Sequence, residues 1–327
     1  MFSKYKKKIL LSAVFGAVIF LVFSIYADFD NLLDAFSKFN WLWFPVLLLL
    51  AFCNYIFRFL KWQYYIKILD IKLPIKKSFL IFLSAFVMSV TPGKMGEILK
   101  SYLLKEENGT PVSKSAPIVV SERLTDFVSI VILCIVGAFV FDYGQLVLLI
   151  IGIVFIVLIF MLSVRNFSLK VISYLERINI ISKHIHKIHT AYDSIYQMLK
   201  IKPLLVATII SVFAWFFECL GFYVVLNVFS TSTNVEVSLL IATFIYGFST
   251  LIGALAMLPG GLGATEASLT GLLVLLNIPK SISVASTIII RVATLWFAVV
   301  VGIVAVYIYQ RISHRDLKSL EFSQSDI

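Results

Sequence analysis

Two arginines stand in long apolar stretches, and each follows a Pro-Gly cluster at nearly the same distance. Gly93 of TPGKMGE precedes Arg123 by 30 residues, and Gly260 of LPGGLGATE precedes Arg291 by 31. A guanidinium at the centre of a bilayer costs roughly 2.5–3.5 kcal/mol on insertion scales, so it must face a partner, a ligand or water. Carboxylates are close in sequence. Glu122 and Asp126 are four apart and share a helix face, Arg123 stands three before Asp126, and Glu97, Glu218 and Glu266 are further candidates. The glycines Gly93, Gly96, Gly260, Gly261 and Gly263 carry no side chain to keep a ligand from the backbone. A helix that begins inside the membrane there presents unpaired N–H groups and the positive end of its dipole, which suits a phosphate or other anionic headgroup.

The candidate substrate-binding set is therefore Gly93, Gly96, Glu97, Glu122, Arg123, Asp126, Gly260, Gly261, Gly263, Glu266 and Arg291. A second reading makes the charges a structural ion-pair network and the glycines a device for tight turns and close helix packing. Arg58, by contrast, reads as an anchor that snorkels to the cytoplasmic surface. No catalytic motif, cofactor site or metal site emerges. There is no HExxH and no paired Cys and His ligands, and Cys53, Cys134 and Cys219 each lie inside an apolar run without metal-ligand spacing. His184, His186 and His189 are close together, but a solvated helix face explains them as well as zinc does.

The elements that must position these groups are membrane helices. Hydrophobic residues make up 60% of the chain, charged residues only 14%, and the mean hydropathy is +0.98. A soluble domain of that composition would expose large apolar patches. Six segments supply the 20 or so apolar residues of a span: about 8–27, 40–60, 117–141, 145–164, 203–229 and 281–309. The first has a basic start like a signal peptide, but its apolar run from Ile9 to Ala27 is too long for a cleaved one and reads as an anchor. Two more apolar regions, 78–104 and 237–276, are interrupted by the Pro-Gly clusters, and each should fold as two helices meeting at a break. Whether each pair crosses or dips in and returns, it comes back to its starting side.

Every Lys and Arg except Lys38, Lys280, Arg123 and Arg291 falls in the stretches that are cytoplasmic if the chain starts inside, whereas the opposite stretches carry Asp28, Asp30, Asp34, Asp142 and Glu236. The positive-inside rule then puts both termini in the cytoplasm. The net charge of +10 lies beside spans and not in one solvated domain, so anionic lipid headgroups, not nucleic acid, are the expected partners. Residues 168–199 place Val171, Leu175, Ile178, Ile185, Ile188, Tyr192, Ile195 and Leu199 at three- and four-residue intervals, as in an amphipathic helix on the cytoplasmic face.

With this orientation the first break is reached from the cytoplasm and the second from outside. Residues 8–141 and 145–309 then match as anchor, span, broken pair and Arg-bearing span running in opposite senses. Inverted repeats with discontinuous helices are a recurrent plan of secondary transporters, which bind substrate between the halves.

The segments TPGKMGEILKSYLL, SERLTDF and LPGGLGATEASL followed by Arg291, in that order and over nearly the whole chain, resemble the transmembrane region of the lysylphosphatidylglycerol synthetase and flippase-like (UPF0104) family, which includes the multiple peptide resistance factor. The resemblance implies an all-α, polytopic, flippase-type domain in a prokaryotic-type plasma membrane that handles lipids or lipid-linked headgroups. With the chain ending at Ile327 soon after the last span, it implies a stand-alone member without the synthetase domain. The leading expectation is a transporter that carries an anionic lipid or lipid-linked headgroup between leaflets and is not an enzyme. The alternatives are an intramembrane enzyme using Glu122, Asp126 or Glu266 as acid or base on a lipid phosphate or lipid-linked sugar, and a non-transporting membrane scaffold.

Overall fold

The structure, a computed structural model, describes residues 2–91, 96–141, 144–175, 182, 184–233 and 235–313. Gly93, with Pro92, Lys94 and Met95, lies outside the described residues, as does the stretch 176–181 of the expected amphipathic helix. Every described element is helical.

The first apolar stretch forms α1 (Phe2–Ala27), which turns through 97° at Asp28 into α2 (Phe29–Lys38). Asp28 stands at a φ of 66° and caps α2 by accepting the Asn31 N–H at 3.3 Å, so the stretch carrying Asp28, Asp30 and Asp34 holds a short amphipathic helix. A 3₁₀ turn of Trp41–Trp43, capped by Asn40, leads into α3 (Phe44–Ile68). Prolines stand just before or at the start of the next elements, where a missing N–H removes no helical bond. Pro74 precedes α4 (Ile75–Ser84), which tightens into a 3₁₀ turn as far as Met88 and stops at the first break; the chain resumes in α5 (Leu99–Asn108). Pro111 precedes the short α6 (Val112–Ser115), and Pro117 opens α7 (Pro117–Phe141).

The second half opens with α8 (Gln145–Ser163) and α9 (Arg165–Leu175), then α10 (Ile185–Met198) and α11 (Ile201–Thr233). Ser238 caps α12 (Leu239–Leu255), which runs to the second break, and α13 (Ala264–Leu275) leaves it. The last span is one helical rod. It consists of α14 (Lys280–Arg291), a π-helical turn of Val292–Trp296, and α15 (Phe297–Ser313). Both interrupted regions therefore fold as two helices about a break, as their Pro-Gly clusters predict. Arg291 does not open its helix; it sits mid-rod, immediately before the π turn.

By length and composition, four helices among the described residues can cross a bilayer: Trp41–Ile68, Gln145–Ser163, Ile201–Ser230 and Lys280–Ile312. The bent pair α1 and α2 makes a fifth if it is taken as one span. The 25-residue α7 carries Glu122, Arg123 and Asp126 within its first ten residues. On α8, Leu146, Leu149, Ile150, Ile153, Ile156 and Phe160 are all exposed, a surface that lipid satisfies and water does not.

Three contacts organise the bundle: α3 against α11, α7 against α12, and α4 with its 3₁₀ extension against α15. The last two are backbone-close. A Cβ on Gly137 of α7 would come within 2.6 Å of the Leu240 carbonyl and the Phe244 Cβ on α12, and a Cβ on Gly302 of α15 would overlap the Phe86–Val87 peptide. Small residues at such crossings let helices approach where no hydrophobic effect drives them together. The amphipathic stretch differs from expectation: α10 packs against α6 and α7 and buries Tyr192, Ser194 and Met198, so it caps the bundle and is not a lone surface helix. Among the described residues no three His, Cys, Asp or Glu converge on a metal position.

Candidate functional site

A cavity of about 300 Å³ lies where α3, α7, α11, α12, the second break and the α14–α15 rod converge. Three guanidinium groups line it, Arg58 from α3, Arg123 from α7 and Arg291 from the last rod, together with the carboxylates of Asp126 and Glu218. Tyr55, Tyr246, Thr250 and Thr294 add polar atoms, and Phe127, Ile130, Leu295 and Ala298 make apolar wall.

The second break is held in shape from inside. Gly260, Gly261 and Gly263 adopt φ of 62°, 68° and 88°, left-handed backbone in which a side chain is strained. Arg291 donates through Nε to Glu266 Oε1 at 2.6 Å and through Nη2 to the Gly260 carbonyl at 2.7 Å, while Glu266 Oε2 accepts the Gly263 N–H at 2.6 Å. One arginine and one glutamate thus tie the carbonyl side of the break to the start of α13. The N–H groups of Gly261 and Leu262 donate to Leu258 and Pro259 carbonyls at 2.9 and 3.1 Å. The expectation that bare backbone donors face a ligand is therefore corrected for Gly261 and Gly263, whose N–H groups are already bonded. What the chamber offers an anion is guanidinium.

The first break is held by a larger network. Thr91 Oγ1 accepts the Gly96 N–H at 2.9 Å and donates to the Met88 carbonyl at 2.7 Å, closing the loop across the undescribed residues. Glu97 is buried and bridges two arginines, Arg58 to Oε1 and Arg123 to Oε2, each at 3.3 Å. Arg123 also pairs with Asp126 Oδ2 at 3.1 Å, and Lys61 Nζ meets Asp126 Oδ1 and Ser211 Oγ, each at 2.6 Å. Lys100 pairs with Glu122 and lies 4.8 Å from the Trp62 ring centroid. Charge-assisted bonds of this kind, and cation–π contact, are what make buried charges tolerable.

Of the candidate residues, Arg123, Asp126, Gly260, Gly261 and Arg291 line the one cavity. Glu97 and Glu266 stand behind it as partners of its arginines, Glu122 pairs with Lys100 outside the cavity lining, and Gly96 and Gly263 serve the breaks' internal bonding. Gly93 lies outside the described residues. The two breaks also meet: a Cβ on Gly260 would lie 3.5 Å from the Val90 Cα, and Val90, Leu262, Leu295 and Val299 form one buried apolar cluster.

Three cations were misassigned from sequence. Arg58 does not snorkel; it is buried, pairs with Glu97, stacks 5.0 Å from the Phe86 centroid and lines the chamber. Lys61 and Lys100, each only 1% exposed, belong to the buried network and not to cytoplasmic stretches. The signal was present in α3. Asn54, Arg58, Lys61 and Tyr65 recur at intervals of four, three and four residues, a polar stripe on one face of an apolar helix. In and around the chamber, among the described residues, five cations (Arg58, Lys61, Lys100, Arg123, Arg291) meet five carboxylates (Glu97, Glu122, Asp126, Glu218, Glu266).

The profile of the family described as Lysylphosphatidylglycerol synthase TM region matches residues 9–302. The chain belongs to that family. Among its relatives is the UPF0104 membrane protein MJ1078 of Methanocaldococcus jannaschii, 27% identical over 229 residues that cover 69% of this chain and 95% of the relative. A UPF0104 membrane protein of Methanothermobacter thermautotrophicus is 26% identical over 67% of this chain and 71% of its own. The UPF0104 membrane protein PH1989 of Pyrococcus horikoshii is 22% identical over 90% and 95%. The lysylphosphatidylglycerol synthase TM region match spans both breaks and both arginines, so the whole chamber lies within the family's extent. The protein is an all-helical membrane protein.

Proposed function

We propose that the protein carries an anionic lipid, or a lipid-linked anionic headgroup, between the leaflets of the plasma membrane by alternating access. The observation that carries this reading is the single chamber in which Arg58, Arg123 and Arg291 converge from elements flanking both breaks. A phosphate entering it meets three guanidinium groups already turned toward the chamber, the donors that charge-assisted binding of an anion uses. The packing supports an inverted repeat. The first arm of break one, α4, lies on the Arg-bearing rod of the second half, and the first arm of break two, α12, lies on the Arg-bearing α7 of the first half. Such an exchanged pairing is what a pseudo-two-fold axis in the membrane plane produces, and it allows one half to rock against the other. With α1 and α7 added to the four long apolar helices, the spans number six and both termini fall in the cytoplasm. The orientation keeps its support after Arg58, Lys61 and Lys100 are removed from the basic count, because the stretches that held them retain Lys67, Lys72, Lys76, Lys77, Lys105 and Lys114.

An enzyme reading rests on Glu122, Asp126 or Glu266 as the acid or base. Glu122, Asp126 and Glu266 are each ion-paired, with Lys100, Lys61 and Arg291 respectively, which favours a carrier.

The test is reconstitution in vesicles containing a fluorescent phosphatidylglycerol, with dithionite quenching to follow exposure of the labelled headgroup. The expected result is protein-dependent exposure that falls about tenfold or more in Arg123→Ala and in Arg291→Ala, since a hydrogen bond to a charged group contributes about 1.5–3 kcal/mol. Exposure unchanged in both variants removes the site.

A further inference from the structure

Glu218 is the charged group of the chamber that the ion-pair network leaves over. It projects from α11 into the cavity and accepts the Tyr246 hydroxyl at 2.7 Å, yet forms no ion pair among the described residues. Glu97, Glu122, Asp126 and Glu266 all have cationic partners. We propose that Glu218 is a proton site coupled to the anion: it takes up one proton as a monoanionic phosphodiester enters the chamber and releases it when the anion leaves.

The argument is one of charge. With Glu218 ionised, the five cations and five carboxylates that the described residues bring to the site cancel, and an entering anion turns their sum negative. With Glu218 protonated the empty site carries one positive charge, and a single negative guest restores neutrality. Net buried charge far from water is strongly disfavoured, so the two events favour each other in a one-to-one ratio. The groups facing Glu218 point the same way. From α3 come Tyr55 and Arg58, and Tyr55 already donates to the Thr294 carbonyl at 3.0 Å, which leaves Tyr246 as the phenol on the carboxylate. From α7 come Arg123 and Asp126, which also engage Glu97 and Lys61; from the last rod comes Arg291, occupied by Glu266 and Gly260. On α11 itself the neighbouring Cys219 is buried behind the chamber. The proton goes to a carboxylate oxygen from water on whichever side the chamber is open, and no bond other than that O–H forms or breaks.

This inference rests on the carrier reading, and its experiment separates the two. Binding of short-chain phosphatidylglycerol to the purified protein is measured from pH 5 to 9. The expected wild-type affinity falls with rising pH, by up to tenfold per unit, as linkage to a single proton requires. Calorimetry in two buffers of different ionisation enthalpy should read close to one proton taken up per lipid. Glu218→Gln should bind with no pH slope, and Glu218→Asp should retain one. Wild-type binding with no proton uptake overturns the proton site while leaving the carrier intact, and so does a slope unchanged in Glu218→Gln. Absence of any binding by the wild-type protein overturns both readings. The calorimetric result stands on the wild-type chain alone, so a poorly folding variant does not remove the test.

Discussion

Lys61 shows how tightly individual charges are committed in this protein. Its ammonium is held by Asp126 and Ser211, and it also lies 3.4 Å from the Glu122 carbonyl and from Thr125 Oγ1. Removing one member of a buried pair leaves the other charge unpaired, which costs about 3–5 kcal/mol, whereas replacing both by apolar residues is often neutral. Lys61→Met is therefore expected to lower the melting temperature of the detergent-solubilised protein sharply. Lys61→Met combined with Asp126→Leu should recover much of the loss, because Arg123 keeps Glu97. Equal destabilisation in single and double variants would argue against the pair. At this scale the sequence marks the arginines and acids near the breaks well, since a charge in an apolar run stands out. It marks Arg58, Lys61 and Lys100 poorly, because each lies where an apolar run shades into a basic loop. Chain position cannot distinguish a lysine that snorkels from one that turns inward to a carboxylate on another helix.

Among the elements, the breaks are the most legible feature, and their flanking helices begin and end close to the limits that proline and glycine set. Less legible is what shapes them. The ties from Arg291 to Glu266 and Gly260 span 25 and 31 residues, and Arg291 stands immediately before a π turn, geometry that no local pattern announces. The amphipathic α2 was readable from Asp28 as cap and from Phe29, Leu32, Leu33 and Phe36, a pattern the count of external aspartates does not use. Close helix crossings give a sharp contrast between glycines. Gly302→Ala sets a methyl against the Phe86–Val87 backbone, which cannot yield as a side chain can, and should lower the melting temperature by several degrees. In Gly271→Ala, on α13, the new methyl meets nothing within 4 Å. That variant should be neutral or stabilised by up to about 1 kcal/mol, from helix propensity alone. Thermal unfolding of both variants in one detergent checks the pair, and a tolerant Gly302 would mean that α4 and α15 sit further apart.

For the molecule as a whole, alternating access requires the two breaks to separate or slide, and they now meet where Gly260 lies against Val90, with Val90 and Leu262 in one buried apolar cluster. Val90→Cys with Leu262→Cys, in a Cys53→Ala background with Cys134 and Cys219 left buried, should cross-link under mild oxidation. The bridged protein is expected to stop exposing labelled lipid and to resume after reduction, with the vesicle assay as readout. Transport that continues through the bridge would mean that the breaks move as one body. The membrane class and family were legible across the chain because composition and motif order are global properties. The exchanged packing of α4 on α15 and α7 on α12 was not, because it depends on helix faces meeting over more than 100 residues of chain.

The network on α7 also bears on how the molecule is made. Glu122, Arg123 and Asp126 stand on one helix, and a segment so charged is one that lipid alone accepts reluctantly. Their counter-charges Arg58, Lys61, Glu97 and Lys100 all leave the ribosome earlier. In the carrier reading, in which α7 spans, its ionic partners on α3 and α5 and at Glu97 are thus synthesised first and are available to receive it. Swapping the order of the two halves in the gene would leave every final contact possible and still deprive α7 of that reception.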